Sequence, residues 1–193
     1  NHQLYKIKGD QSFKNADMDI EGDYSQAAFW VVAGILGNGM TISGLNSKSK
    51  QGDQKIIEIV REMGGKVTFG ENDLVVSPSQ TKGIVIDASQ IPDLVPIITV
   101  LAALSDGKTE IINASRLRIK ESDRLKSIAT ELNKIGAQVL EKPDGLLIFG
   151  KERLKGGVVN SWNDHRIAMS LAVASIRCED RIIIDDCEAI EKS

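Results

Sequence analysis

Two short runs place residue types where ordinary helix chemistry discourages them. Lys120-Glu121-Ser122-Asp123-Arg124 brackets a helix start with cations, and Asn163-Asp164-His165-Arg166 follows a good N-cap with His and Arg in the first turn. Unpaired N–H groups and the helix dipole make a helix N-terminus attractive to anions, so Lys and Arg are expected to avoid it. A local rule broken twice, at equivalent ends of one domain, points to a site for a polyanion. Two carboxylates belong to the same end: Asp93, directly after Pro92, and Glu121, inside the first run. Singly, each is an ordinary cap or first-turn acid. Held among cations in a cleft, the pair becomes a candidate proton donor and acceptor. The sequence has no Gly-rich phosphate loop, zinc-ligand spacing or nucleophile elbow, so no metal ligands are assigned.

Three segments follow one plan that would bring these residues together. Each has a polar turn, a helix apolar on nearly every side, and a β-branched strand. The helices cover 27–36, 94–104 and 167–176, and the strands 40–43, 109–112 and 181–184. Helices apolar all round belong in the middle of a domain. A second kind of helix carries a one-sided stripe: Ile56, Ile59, Val60 and Met63, then Leu125, Ile128, Ala129, Leu132 and Ile135. These helices stop at Gly64-Gly65 and Gly136-Ala137, and strands follow near 66–68, 73–76, 138–140 and 146–149. The fold class is α/β (α+β), with a β-α-β-α-β-β unit expected twice in full and a third copy ending where its amphipathic helix should begin. Such units pack about a pseudo-threefold axis, the apolar helices parallel in the middle and the sheets outside. Residues 22–193 form this lobe. Residues 1–21 read as a hairpin, with strands at 5–8 and 18–21, left over from a preceding domain.

A chain of 193 residues, 41% hydrophobic and 26% charged, can form one domain with a substantial core. Its net charge of −3 argues against a dedicated binder of nucleic acid or of a membrane surface. The longest apolar stretches fall short of the roughly 20 residues a spanning helix needs. Two cysteines, Cys178 and Cys187, are too few for a secreted disulfide framework, and reduced thiols in a cytoplasmic protein are expected. The chain shows no signal peptide and no initiator Met, and it stops just after an apparent strand. A fragment of a longer protein is expected.

The chemistry-bearing runs resemble the signatures of the EPSP synthase family of enolpyruvyl transferases. Lys120-Glu121-Ser122-Asp123-Arg124 looks like the family's K-E-[ST]-D-R motif, and Asp164-His165-Arg166-Ile167-Ala168-Met169 its D-H-R-M-A-M segment, with Ile167 for Met. Ile91-Pro92-Asp93 resembles the segment carrying the family's catalytic aspartate, and Gly22-Asp23-Tyr24-Ser25-Gln26-Ala27 its G-D-x-S-x-A turn. The stretch 186–193 looks like the start of its C-terminal segment. The resemblance implies one lobe of an inside-out α/β barrel whose companion N-terminal lobe supplies the other wall of the site. It implies transfer of the enolpyruvyl group of phosphoenolpyruvate to the 5-hydroxyl of shikimate 3-phosphate, with no metal or organic cofactor. By resemblance Asp93 and Glu121 are catalytic, Lys120 lies near the shikimate ring hydroxyls, and Arg124, His165, Arg166 and Lys192 surround phosphoenolpyruvate. The fragment alone is expected to be inactive. Two other readings are a UDP-N-acetylglucosamine enolpyruvyl transferase, which shares the architecture, and a non-catalytic anion-binding domain on the same repeats. Turnover with each acceptor separates the first, and binding without turnover marks the second.

Overall fold

A computed structural model describes residues 4, 6–12, 14–70 and 73–192. In chain order the elements are α1 (Tyr24–Leu36), β1 (Met40–Ser43), α2 (Ile56–Glu62), β2 (Lys66–Phe69), β3 (Asp73–Ser77), β4 (Val85–Asp87), α3 (Val95–Ala103), β5 (Lys108–Ile112), α4 (Arg124–Lys134), β6 (Gln138–Lys142), β7 (Gly145–Phe149), β8 (Gly157–Asn160), α5 (His165–Ala174) and β9 (Ile182–Asp185).

The expected repeat is present, and its copies differ in completeness. The second copy is whole: β4-α3-β5-α4-β6-β7, in a sheet ordered β4-β5-β7-β6 with β4 and β5 parallel and the other pairs antiparallel. The first supplies the sheet β1-β3-β2, and the third the parallel pair β8-β9. The expectation of two full copies is corrected, because among the described residues the first has no leading strand. A backbone bond from Gly22 N to Gly44 O at 2.8 Å stands where the other copies have parallel ladders. The expected hairpin is corrected with it: 6–8 and 18–21 form no strand, and Tyr5 lies outside the described residues. Ile7, Met18 and Ile20 are 78–92% exposed, and strand propensity without a sheet or apolar surface to pack on does not form a stable strand.

The buried helices are where their composition places them. Every residue of α3 is buried, and α1, α3 and α5 touch one another pairwise. Ser25, Asp93 and Arg166, from the starts of the three helices, meet at one pole. Leu36, Leu104 and Arg177, from their ends, line one cavity of about 550 Å³ at the other. The helices therefore run the same way. Each fully buried Leu, Ile or Val contributes about 1.5–3 kcal/mol. The sheets cover this core by alternation: Leu74 and Val76 of β3, and Leu146 and Ile148 of β7, turn inward, while Val75 is 43% exposed. The stripes of α2 and α4 are buried as their spacing predicts. Both helices end on a glycine with positive φ, Gly64 at 96° and Gly136 at 93°, and the next N–H reaches back to Val60 O or Leu132 O.

Candidate active site

At the pole where the central helices begin, the caps are aspartates. Asp23 accepts from Ser25 N at 2.7 Å, Asp123 from Lys126 N at 3.1 Å and Asp164 from Arg166 N at 2.9 Å. Asp93 differs. It lies in the 3-10 turn Pro92–Leu94 leading into α3, and its side chain caps nothing. The carboxylate turns instead to cations, Lys120 and Arg124 of its own copy and Arg166 of the third.

Arg124, the first residue of α4, gathers these groups. Its side chain is 1% exposed, yet its guanidinium meets three carboxylates. Nε donates to Asp164 Oδ2 at 2.8 Å, one terminal nitrogen donates to Asp93 Oδ1 at 2.8 Å, and the other to Glu121 and, at 3.3 Å, to Asp164 Oδ1. Ser122 Oγ adds a bond to Asp164 Oδ2 at 3.0 Å. Lys120 Nζ approaches Asp93 Oδ1 at 3.2 Å, and Arg166 lies 4.0 Å from Asp93 Oδ2. Arg166 also donates to Ser25 Oγ at 2.9 Å, so the three copies join through side chains. Three cations and three carboxylates thus share one small volume, and solvation of independent surface charges is excluded as their role.

The environment lowers the pKa of Asp93, Asp164 and His165 alike, with opposite consequences for charge. Burial opposes ionisation of Asp164, but the Arg124 guanidinium, the Arg166 N–H and Ser122 hold its carboxyl below the usual range. Burial likewise opposes ionisation of Asp93, and Arg166, Lys120 and Arg124 overcome it. For His165 the same downward shift disfavours the charged form. Burial and the neighbouring Arg166 lower its pKa against the pull of Asp164 and Glu121, which favours a neutral imidazole near pH 7. Its Nδ1 is buried with no hydrogen-bond partner among the described residues. Glu121 is 43% exposed, at the open side of the cluster.

Six of the seven residues expected at the site are thereby brought together: Asp93, Lys120, Glu121, Arg124, His165 and Arg166. Lys192 closes the 3-10 turn Cys187–Lys192, and its side chain lies outside what the structure describes. Two residues were not singled out. Asp164 read as a plain N-cap, and its second bond partner, Arg124, lies 40 positions away. Asp53, in the 3-10 turn Gly52–Lys55 before α2, has its pKa raised by burial and by Asp93, against Arg166. Its only sequence signal is the likeness of Lys50-Gln51-Gly52-Asp53 to Lys120-Glu121-Ser122-Asp123. Among the described residues no group of three or more His, Cys, Asp or Glu is placed to hold a metal ion, and no helix is long and apolar enough to cross a membrane.

Carboxylates of differing exposure, set against fixed guanidinium groups, are equipment for moving protons on an anionic substrate. The comparisons with known proteins agree with a catalytic lobe of this kind. The family model for EPSP synthase (3-phosphoshikimate 1-carboxyvinyltransferase) matches residues 1–193, and the chain belongs to that family. It is 56% identical over 192 residues to a 3-phosphoshikimate 1-carboxyvinyltransferase of Clostridium kluyveri, covering 100% of this chain and 45% of that protein. The relative of the same name from Clostridium acetobutylicum is also 56% identical over 192 residues, covering 100% of this chain and 44% of the relative. A solved EPSP synthase from Acinetobacter baumannii superposes with a TM-score of 0.81 at 28% identity, over 89% of this chain and 43% of that one. The chain spans about half the length of the curated relatives it matches.

Proposed function

We propose that this chain forms one wall of an enolpyruvyl transferase site in which phosphoenolpyruvate reacts with the 5-hydroxyl of shikimate 3-phosphate. The observation that carries the reading is Arg124, which binds Asp93, Glu121 and Asp164 together at the pole where the helices begin. Asp93 takes the proton of the 5-hydroxyl as its oxygen bonds to C2 of phosphoenolpyruvate. Glu121, at the exposed side, delivers a proton to the methylene carbon and takes it back when the C2–O bond to phosphate breaks. The enol ether and inorganic phosphate leave, the phosphate taking up the proton that Asp93 removed, and there is no net oxidation or reduction. Arg166, Arg124, His165 and Lys192 surround phosphoenolpyruvate, whose carboxylate and phosphate suit the planar donors of Arg166. Lys120 and Asp93 face the ring hydroxyls of the acceptor.

A companion N-terminal lobe supplies the opposite wall and most of the shikimate phosphate site. The protein acts in the cytoplasm, where its thiols stay reduced and its substrates are made. The test is phosphate release by the complete enzyme with phosphoenolpyruvate and shikimate 3-phosphate. Turnover is expected with this acceptor and none with UDP-N-acetylglucosamine. The reverse preference, or binding without phosphate release, would overturn the reading.

A further inference from the structure

The turn that carries Asp164, His165 and Arg166 into the site has an unusual backbone. Trp162 and Asn163, the two residues before the cap, both have positive φ, 56° and 52°. This left-handed region is sparsely populated by residues other than glycine, and it persists where surrounding contacts over-determine it. Some of those contacts are local: Trp162 N donates to Asn160 Oδ1 at 2.6 Å, Asn163 N to Ser161 Oγ at 3.1 Å, and Ser161 N to Asp185 O at 3.0 Å. Two more converge on a single residue of α4.

That residue is Glu131, two turns along α4 from Arg124, with a side chain 1% exposed. One carboxylate oxygen accepts the indole N–H of Trp162 at 2.7 Å, and the other accepts Asn160 N at 3.0 Å. Lys134 Nζ bonds both oxygens, at 2.8 and 2.9 Å, from the solvent side. Lys126, one turn before Glu131, lies 6.0 Å from the centre of the Trp162 ring. Glu131 therefore grips the approach to the left-handed turn, at Asn160, and its first residue, Trp162, while Arg124 on the same helix grips Asp164 directly after it.

We propose that Glu131 is a positioning residue for the active site: through Asn160 and Trp162 it fixes the turn that aims Asp164, His165 and Arg166. It touches no substrate and acts through the turn. For what the site does, the proposal rests on the function proposed above. A carboxylate is required rather than an amide. Two N–H donors from the turn face its two oxygens, and a glutamine would present one acceptor and one NH₂ group to them. The buried NH₂ would meet a donor, and the turn would move.

The test is made in the complete enzyme with Glu131→Gln, Trp162→Phe and the double variant. Hydrogen–deuterium exchange of residues 160–166 reads the turn without reference to activity. In E131Q, exchange there should rise, and kcat/KM for phosphoenolpyruvate should fall by about 10²-fold, the effect of a displacement near 1 Å at a reacting group. Affinity for shikimate 3-phosphate, read by equilibrium binding, should change little. W162F removes one donor, leaves Glu131 paired with Asn160 N and Lys134, and should show a smaller loss. In the double variant the amide NH₂ no longer faces the indole, so activity should recover part of the way. Unchanged exchange in E131Q would overturn the clamp. Raised exchange with unchanged kcat/KM, or equal loss for both substrates, would reduce Glu131 to a structural residue. If the unaltered enzyme does not react with these substrates, the proposed function fails, while exchange still decides whether Glu131 holds the turn.

Discussion

The first and second copies of the repeat use one stretch of chain in opposite ways. Lys50-Gln51-Gly52-Asp53-Gln54 leads from β1 toward α2, and Lys120-Glu121-Ser122-Asp123-Arg124 leads from β5 into α4. In the first copy the work is done by amides. Gln51 accepts Tyr24 N at 2.8 Å at the start of α1 and donates to Gly22 O at 2.9 Å, and Gln54 donates to Ser47 O at 2.8 Å. These are neutral bonds that satisfy backbone groups and fasten a turn to a helix. In the second copy glutamate and arginine replace the two glutamines, and the turn reaches away from itself to Asp93 and Asp164. Burying ions costs more than burying amides, and a buried ion pair is a poor means of gaining stability. The first copy shows that the turn forms with neutral amides at the two positions that carry glutamate and arginine in the second. The charges of the second are kept for the site.

The largest effect is expected from Arg124→Gln, which gives the second copy the residue of the first. It leaves Asp164, 0% exposed, without its cation. Breaking such a pair typically costs about 3–5 kcal/mol, to be read as a shift of the urea midpoint, with turnover abolished in the complete enzyme. A loss under about 1 kcal/mol would show that the cluster is not held by Arg124. Glu121→Gln, the other half of the exchange, should leave the midpoint nearly unchanged because that side chain is 43% exposed. It should slow turnover by about 10²–10⁴-fold with substrate binding preserved, and near-normal turnover would remove Glu121 from the chemistry. The smallest effect is expected in the first copy. Gln51→Ala frees Tyr24 N and should cost about 1 kcal/mol of stability without changing kcat, and a fall in kcat would place this turn in the site after all.

Much of this contrast can be read from the chain. The apolar helices, the stripes of α2 and α4, the glycine stops and the aspartate caps are all local patterns, and each lies within two or three residues of its expected place. Asp93, Lys120, Glu121, Arg124, His165 and Arg166 were legible because cations at helix starts break a local rule. The failure of 6–8 and 18–21 to form strands was not, since apolar residues in a polar stretch mark a strand only when another surface receives them. The leading strands β4 and β8, three and four residues long, were also passed over, because a short run carries little periodicity. Glu131 is hidden for another reason. On a helix face an acid three residues before Lys134 reads as a solvated ion pair, and only the fold brings Trp162 over it.

The bond that joins the first copy to the third has a consequence for the order of folding. Arg166 and Ser25 are separated by 141 residues, whereas the turns and ladders of each copy close over much shorter stretches. The entropy lost on closing a loop grows with its length, and it must be spent before the contact returns anything. The copies are therefore expected to take shape first, each around its own helix and sheet, with the charged pole assembled after they have docked. Contacts formed that late slow unfolding more than they speed folding. The charged cluster is then also the latch on the finished lobe.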